Sequence, residues 1–412
     1  MTMALERGRM ILKLLKRAGW VTAGNIIGQA LVLVATVWLA RMYTPAEFGM
    51  FAVVLVISNI SIALASLRFD IAIPSATDQD SDGLTVLAVL SILISATAVT
   101  GAIWAANRSG LISLPFVETH ALLTFVTIVA SGAFQTLNAR LVRSERFKTV
   151  GLIRGAQGLT FVALASVPAI GLLWAQALSL AWGMAVFPGA VRSARRLGPT
   201  AIAAVLRRQW KLPFFSLPGA ALDVIGYSMV IWVLITVYGS ADAGTYSQLQ
   251  RLLGGPMMLI SISLGQVLLR QTVDHAGDPA ALRSLLSKVL LGLGGMLLLL
   301  VAAVAVAGAP VLRLVLGEQW SVAPMMTVLI TIAVGVRACV SPLSSVLVTL
   351  RHFGVGLAWQ AAYFCSAAAL FPMMARRLDF HGFVAFYALH EVVLYTIYFA
   401  LIWRSISRKD VR

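Results

Sequence analysis

Four ionisable residues stand inside long apolar stretches of the chain: Asp223, Arg251, Arg337 and Glu391. A charge at the centre of a bilayer costs roughly 2.5–3.5 kcal/mol on insertion scales, so such a residue usually faces a cavity or a partner. A guanidinium offers two parallel donors to a phosphate, whereas burial increases the affinity of a carboxylate for a proton. The pattern therefore predicts anionic substrate binding by Arg251 and ion coupling by Asp223 and Glu391.

Each of these residues also has a purely structural interpretation. Asp223 could neutralise Arg251, because the two lie on adjacent predicted helices. Arg337 is expected to pair within its own half of the chain rather than to bind substrate. Pro256 is predicted to kink its helix. The kink would have either a hinge role or only a packing role.

The composition requires a membrane protein. Of the 412 residues, 59% are hydrophobic and only 12% are charged, against roughly 25% charged in soluble domains. The net charge of +16 does not indicate nucleic-acid binding, because the basic residues lie in short runs between apolar segments. Cys339 and Cys365 both fall in apolar runs, so no structural disulfide or metal site is expected. No catalytic triad or phosphate-binding glycine loop is present in the sequence.

Apolar runs of about 20 residues, the length of a membrane-spanning helix, occur twelve times in the sequence. The predicted spans are 18–40, 46–67, 83–106, 120–139, 150–169, 170–190, 213–238, 242–269, 284–308, 322–348, 354–374 and 381–403. With the N-terminus in the cytoplasm, 25 of the 32 Lys and Arg residues fall on the cytoplasmic side and 5 on the other. This bias predicts that both termini are cytoplasmic.

A short motif recurs 195 residues later in the chain. Tyr43-Thr-Pro-Ala-Glu47-Phe-Gly49 is matched by Tyr238-Gly-Ser-Ala-Asp-Ala-Gly244, and each copy lies between two apolar runs. The acid of each copy is predicted in the first turn of a helix, and the first copy fits a capping box with proline at the first helical position. Helix starts alone could explain one copy, but matched copies indicate an internal repeat.

The repeat divides the chain into two parallel halves of six spans. Five regions are predicted: a basic amphipathic segment 1–17, an N-lobe 18–190 with spans 1–6, a cytoplasmic linker 191–212, a C-lobe 213–403 with spans 7–12, and a basic cytoplasmic tail 404–412.

Four stretches together resemble a known family. They are Leu39–Gly49, Leu67–Pro74, Arg143–Lys148, and Arg251–Pro256 followed by Ser263-Leu-Gly-Gln-Val. In this order they are similar to bacterial lipid-linked oligosaccharide flippases, the O-antigen and exopolysaccharide translocases of the multidrug/oligosaccharidyl-lipid/polysaccharide flippase superfamily. The resemblance implies an all-α fold with two six-helix lobes forming a V around a central cavity. It also implies alternating access, which carries a polyprenyl-pyrophosphate-linked oligosaccharide from the inner to the outer leaflet of the bacterial cytoplasmic membrane.

The resemblance also implies a transporter rather than an enzyme. Expected partners are a lipid-linked glycan, membrane lipids, and a polysaccharide polymerase with its chain-length regulator, but no nucleic acid. No cofactor is expected, and a proton or sodium ion could drive the cycle. Lipid II flippases place several arginines in their first two spans. Since this chain has none between Trp20 and Ala40 or between Phe48 and Leu67, another glycan lipid is favoured.

Neutral and charged residues near the span ends complete the candidate site. Asn25, Gln29 and Asn59 could meet sugar hydroxyls in the cavity or form hydrogen bonds between helices. Arg68 and Arg270 could attract the anionic head at the inner gate, although cytoplasmic topology alone explains both. Asp70 is assigned a structural or gating role.

Two rival functions remain open at this point. A cation-coupled drug antiporter of the same fold would have a smaller and less basic cavity. A membrane polysaccharide polymerase or ligase would carry a long outer loop with catalytic residues, but the longest predicted outer link, 107–119, is short. A major-facilitator transporter is disfavoured because its characteristic loop between spans two and three is missing.

Overall fold

The computed structural model describes residues 28, 30–109, 120–275, 277–320 and 322–406, and that part of the chain is helical without strands. The helices, numbered in chain order, are α1 Ala30–Met42, α2 Pro45–Leu64, α3 Asp78–Arg108, α4 Ala121–Arg143, α5 Phe147–Ala165, α6 Gly171–Ser179, α7 Val186–Gln209, α8 Lys211–Val237, α9 Ser240–Asp274, α10 Pro279–Leu316, α11 Pro324–Val340, α12 Ser345–Thr349, α13 Phe353–Ala375 and α14 Phe380–Ser405. Short 3₁₀ segments cover Phe69–Ser75, Leu180–Ala185 and Ser341–Ser344. The prediction of an all-α membrane fold is confirmed.

Within the described residues, ten helical stretches are long and apolar enough to cross a membrane. Helix α5 is outside this set, and the described part of the first predicted span is the shorter helix α1. The predicted basic segment 1–17, Asn25, Gln29, the outer link from 110 to 119 and the tail residues 407–412 lie outside the described residues.

The predicted sixth span does not stop before the linker. A continuous helical stretch runs from Gly171 to Gln209, with non-helical backbone at Gly198 (φ 73°, ψ 167°). Glycine occupies positive φ without the Cβ penalty that other residues carry. The linker therefore continues the sixth span, and the backbone turns at Gly198. The hydropathy pattern predicts the span and the linker as separate segments.

The chain packs as two compact units. Unit 1 comprises the residues up to Leu39 together with Val53–Val224, and unit 2 comprises Ala40–Ala52 together with Ile225–Arg412. Hence thirteen residues of the first half of the sequence, Ala40–Ala52, belong to the unit built by the second half.

In unit 1, α4 packs closely against the 3₁₀ segment Leu180–Ala185. A Cβ placed on Gly183 would lie 2.2 Å from the backbone nitrogen of Phe134. Phe134 and Leu180 are buried together there, and the start of α7 packs on α3 and α4 through Val186 and Ala190. Glycine at position 183 is thus required for the close approach of the two backbones.

The start of α3 is tied to the linker helix by charge. Asp78, Asp80 and Asp82 face arginines of α4 and α7, in the pairs Arg143–Asp78 (2.6 Å), Arg140–Asp82 (3.5 Å), Arg196–Asp82 and Arg208–Asp80 (2.5 Å). Ion pairs with exposed members contribute little individually, so this network orients the linker more than it stabilises unit 1.

Unit 2 has its apolar centre between α9, α10 and α11, where Met257, Leu293 and Cys339 are buried together. Cys339 is buried, Cys365 is exposed, and both are free thiols.

Both copies of the repeated motif begin a helix with an acid in its first turn. The predicted capping box is confirmed, since the Thr44 amide donates to Glu47 Oε2 (2.7 Å) and the Glu47 amide donates to Thr44 Oγ1 (3.3 Å). Asp242 likewise lies in the first turn of α9. Burial raises the pKa of both Tyr43 and Tyr238, and the carboxylates of Glu47 and Asp379 respectively raise it further. Both tyrosines are therefore neutral hydrogen-bonding groups.

We expect Gly183→Ala to destabilise the protein. The added methyl group meets the backbone of α4, and overpacking of this kind costs about 1–3 kcal/mol. Gly101→Ala is the matched control, because nothing lies within 4 Å of a Cβ at that position. Thermal melting of the purified variants in detergent should show a lower midpoint for Gly183→Ala alone, and equal midpoints would contradict the close contact.

Candidate functional site

Three helices of unit 2 place a carboxylate, a guanidinium and a phenol together. Glu391 of α14 is completely buried, and its Oε1 accepts a hydrogen bond of 2.5 Å from the Tyr363 hydroxyl of α13. Arg337 Nη1 of α11 lies 4.0 Å from Glu391 Oε2. Glu391 therefore interacts with one charged group, the Arg337 guanidinium, and one neutral group, the Tyr363 hydroxyl.

Aromatic rings surround the guanidinium of Arg337. Its central carbon lies 3.8 Å from the ring centre of Tyr227, 5.7 Å from that of Tyr395 and 5.9 Å from that of Tyr363. Stacking on an aromatic face stabilises a desolvated cation. With its side chain only 18% exposed, Arg337 is held by rings on one side and by Glu391 on the other.

His390 packs beside this cluster without joining its hydrogen bonds to Glu391. Its Nε2 lies 3.0 Å from Ser366 Oγ, and its ring lies 4.8 Å from that of Phe371. The other ring nitrogen, Nδ1, is 3.8 Å from Glu391 Oε1. The imidazole therefore lies in the charge environment of Glu391 while its hydrogen bond goes to α13.

The Arg337–Glu391 pair leaves hydrogen-bonding capacity unused. Glu391 Oε2 and Arg337 Nη1 have no hydrogen-bond partner among the described residues, although both atoms are buried. An unsatisfied buried polar atom costs free energy, so the geometry of this pair is less favourable than that of a hydrogen-bonded ion pair.

Arg251 occupies a different part of unit 2. It lies on α9 and is half-buried, and its guanidinium carbon is 4.9 Å from the ring centre of Phe51 on α2. Helix α9 continues without interruption through Pro256, from Ser240 to Asp274, and Pro256 itself is exposed.

Asp70 and Arg68 shape the corner after α2 in unit 1. Asp70 is 1% exposed and accepts hydrogen bonds from the Ser66 hydroxyl and, at 3.3 Å, from the Gln135 amide. Arg68 has a left-handed backbone with φ 65°, and its Nε is buried without a hydrogen bond in the described part of the chain. Asp70 thus ties this corner to α4.

The remaining predicted site residues have no described contact with these groups. Asp223, Arg270 and Asn59 are all exposed, on α8, α9 and α2 respectively. Asn25 and Gln29 fall outside the described residues.

The sequence reading missed the tyrosines around Arg337 and Glu391. A signal for part of the cluster was available, because Tyr387, Glu391 and Tyr395 recur at intervals of four residues, which places them on one face of a helix. Tyr227 and Tyr363 carry no such signal, since they come from helices far apart in the sequence.

A profile of the family described as "Polysaccharide biosynthesis protein" matches residues 38–324. The chain belongs to this family. The match begins just before the first copy of the repeated motif and includes the whole of α9 with Arg251. Among curated proteins, none matches this chain in sequence.

Solved transporter structures share the fold of this family member. A multidrug resistance MATE family transporter of the MOP superfamily, in an inward-facing conformation, has a TM-score of 0.67 at 15% identity, covering 95% of this chain and 98% of the other. The lipid II flippase MurJ, in an inward closed conformation, has a TM-score of 0.72 at 12% identity, covering 94% and 87%. A mutant of the Vibrio cholerae MATE transporter VcmN has 0.58 at 13% identity, covering 98% of each chain. At 12–15% identity these likenesses show a shared fold.

We expect Glu391→Gln to destabilise unit 2 strongly. The amide keeps a partner for Tyr363 but removes the charge that faces Arg337, and breaking a buried ion pair on one side costs about 3–5 kcal/mol. The double variant Glu391→Gln with Arg337→Met should recover most of this loss. Tyr363→Phe should cost about 1.5–3 kcal/mol, the contribution of one hydrogen bond to a charged group.

Thermal melting in detergent, together with the amount of protein in the membrane, measures all three variants. A single Glu391→Gln variant as stable as the parent protein would show that Arg337 does not depend on the carboxylate.

Proposed function

We propose that this family member is a flippase for a polyprenyl-pyrophosphate-linked oligosaccharide, moved from the inner to the outer leaflet of the cytoplasmic membrane for surface polysaccharide synthesis. Membership of a polysaccharide biosynthesis family and a fold shared with a lipid II flippase support a lipid-linked glycan as substrate. The observation that carries the proposal is a cation held at membrane depth, Arg251, half-buried on α9 beside Phe51.

Arg251 suits the pyrophosphate for chemical reasons. The substrate head carries several negative charges, which must be matched if it is to leave the membrane surface. A guanidinium presents parallel donors to phosphate oxygens and is more weakly hydrated than an ammonium group. The guanidinium carbon of Arg251 lies 4.9 Å from the ring centre of Phe51, and such a contact stabilises a desolvated cation.

Glu391 is the stronger of the two candidates for ion coupling. It is fully buried, whereas Asp223 is exposed on α8. In this proposal, binding of the coupling ion by Glu391 neutralises the carboxylate that faces Arg337. The interactions of Arg337 within unit 2 then depend on whether the ion is bound. The coupling ion in this proposal is a proton or a sodium ion. No cofactor is part of this proposal.

The other predicted residues enter the proposal as auxiliary positions. Arg68 and Arg270 would attract the anionic head at the inner gate, and Asn25, Gln29 and Asn59 would contact sugar hydroxyls. Asp70, Arg337 and Pro256 would have structural or gating roles. We place the protein in the inner membrane with both termini cytoplasmic, beside a polysaccharide polymerase and a chain-length regulator.

A cation-coupled drug antiporter of the same fold is the alternative function, because MATE transporters share the fold. The charge arrangement in unit 2 argues against it. The buried carboxylate Glu391 already faces Arg337, so a cationic drug would have to displace a guanidinium. Resistance to cationic dyes in cells that express the protein, with unchanged surface polysaccharide, would favour the antiporter.

Arg251→Ala should abolish glycan export while the protein still inserts. Arg251→Lys should recover only part, because a lysine is a point charge without the planar pair of donors. Surface polysaccharide and membrane protein level are measured for each variant.

The double variant Arg251→Ala with Asp223→Ala separates substrate binding from a structural ion pair. If Arg251 only neutralised Asp223, the single variant would lower protein level, and the double variant would restore both level and export. Restored export in the double variant would reject the substrate role.

Reporter fusions test the proposed orientation. A reporter at the C-terminal Arg412 and one inserted within 107–119 should give opposite signals, because the Lys and Arg distribution places these sites on opposite sides. Identical signals would contradict both the twelve-span topology and the cytoplasmic termini.

A further inference from the structure

The turn that joins α10 to α11 forms a cavity that the transport chemistry proposed above does not use. The cavity has a volume of about 410 Å³ and is lined by Arg313, Glu318, Trp320, Val322, Ala323 and Pro324. Small-molecule sites have volumes of roughly 300–1,000 Å³, so a ligand of modest size fits. Because Arg313, Glu318 and Pro324 are all exposed, the cavity opens on the surface of unit 2.

The backbone at Gly317 brings the two charged residues to the same cavity. Helix α10 ends at this glycine, whose φ of 99° is free of the Cβ penalty that other residues carry. The Gly317 amide donates to the Arg313 carbonyl at 2.8 Å. The Arg313 guanidinium then donates from Nη2 to the Val322 carbonyl at 3.1 Å, which ties the far side of the turn to α10. This hydrogen bond uses one of the five N–H donors of the guanidinium.

Trp320, which also lines the cavity, is held firmly in place. Its side chain is 2% exposed, and its indole nitrogen donates to the Ala40 carbonyl at 2.9 Å. Its ring meets that of Phe48 edge to face at 5.2 Å. The part of the wall that Trp320 forms is therefore preorganised, which lowers the entropic cost of binding a ligand.

The cavity lies at a boundary of the hydrocarbon layer. Lys288 and Arg313 are 25 residues apart, and no charged residue stands between them. At 1.5 Å per residue of helix this interval spans about 37 Å, whereas the hydrocarbon core is about 30 Å thick. Arg313 is therefore at the level of the lipid phosphates on one side of the membrane. The distribution of Lys and Arg predicts that this is the outer side.

One face of α10 leads from the cavity into the hydrocarbon layer. Leu291, Leu298 and Val306 are 75%, 72% and 85% exposed, and with Arg313 they follow at intervals of seven, eight and seven residues. Such intervals place them on one face of a helix, which also includes the exposed Ala302. The guanidinium thus ends a row of exposed apolar side chains.

The length of this row matches a lipid acyl chain. One chain spans half of the hydrocarbon core, about 15 Å, which corresponds to about ten residues of helix. A chain whose head is at Arg313 would therefore pass Val306 and reach Ala302. The row and the cavity together suit an amphiphile with a polar head and an acyl chain.

We propose that the cavity binds the headgroup of phosphatidylethanolamine, with its phosphate on Arg313, its ammonium on Glu318 and an acyl chain along Val306 and Ala302. Arginine presents parallel donors to phosphate oxygens, and a primary ammonium has three N–H donors for a carboxylate. A choline headgroup has no N–H donor, and a glycerol headgroup has no positive charge, so Glu318 selects against both. This lipid site is independent of the proposed flippase function.

Lipid binding to the purified full-length protein tests this selectivity. Native mass spectrometry measures the affinities of delipidated protein in detergent for phosphatidylethanolamine, phosphatidylcholine and phosphatidylglycerol with identical acyl chains. We expect the ethanolamine lipid to bind roughly tenfold more tightly than either of the others, because it alone makes a hydrogen bond between charged groups at Glu318. Equal affinity for the three lipids would overturn the proposal.

Glu318→Gln removes the carboxylate and keeps the size of the side chain. The affinity for phosphatidylethanolamine should fall roughly tenfold, to that for phosphatidylcholine, which should not change. Asp274→Asn is the matched control, since it also removes an exposed carboxylate of unit 2, at the end of α9. It should leave the preference intact. A preference that survives Glu318→Gln would reject Glu318 as the partner of the ammonium.

Arg313→Gln should weaken the binding of all three lipids alike, by roughly tenfold or more, because the phosphate is common to them. If this variant does not fold, for want of the hydrogen bond to Val322, Glu318→Gln still decides the matter, since substitutions at exposed positions change stability little. Unchanged lipid binding in folded Arg313→Gln would contradict the phosphate contact.

A photoreactive lipid tests the position of the acyl chain. Phosphatidylethanolamine with a diazirine midway along one chain should label α10 between 302 and 306, and unlabelled phosphatidylethanolamine should suppress this labelling at roughly one tenth of the concentration needed with phosphatidylcholine. Labelling confined to other helices would overturn the proposal. Equal suppression by water-soluble glycerophosphoethanolamine would also overturn it, because the cavity would then bind a free headgroup rather than a lipid.

Discussion

Carbonyl groups at the end of a helix have no partner within that helix, and donors from elsewhere in the chain satisfy several of them in this protein. Arg41 serves the end of α10, Arg143 serves the carbonyls of Ile73 and Ala76 before α3, and Tyr238 serves those of Ala375 and Leu378 after α13 (3.0 and 2.9 Å). An unsatisfied backbone group costs several kcal/mol in hydrocarbon. Because each donor comes from another part of the chain, the same hydrogen bond satisfies a helix end and joins two elements of the fold.

Charged side chains are also satisfied by partners from other helices, and these partners differ between the linker and the interior of unit 2. Near the linker, aspartates face arginines in a network with exposed members, where water can replace any lost contact. Among the described residues of unit 2, Glu391 interacts with Tyr363, Arg337 and the nearby His390. The first arrangement tolerates substitution, whereas loss of one member of the second leaves a buried charge without its partner.

The sequence was sufficient for the fold but not for the arrangement of the site. Apolar runs and the distribution of Lys and Arg reveal helices because hydrophobic length is a local property, and the capping box at Thr44 and Glu47 is local as well. The tyrosines that enclose Arg337 could not be assembled, since Tyr227, Tyr363 and Tyr395 come from three helices whose mutual rotation no local pattern encodes. The helical turn at Gly198 was missed for a related reason, because an amphipathic helix that continues a span looks like a separate linker in hydropathy alone.

The motif's recurrence predicts that the two halves are related, but it does not reveal that the copies meet. Only backbone proximity, at Gly49 and Gly244, reveals that Ala40–Ala52 lies among residues of the other half. One consequence concerns the chain as a pair of fragments. A cut in the linker would leave this segment on one piece and Ser240, Gly244 and Trp320 on the other. The two pieces would thus carry a ready-made mutual recognition surface, which makes the protein suited to reassembly from separately synthesised halves.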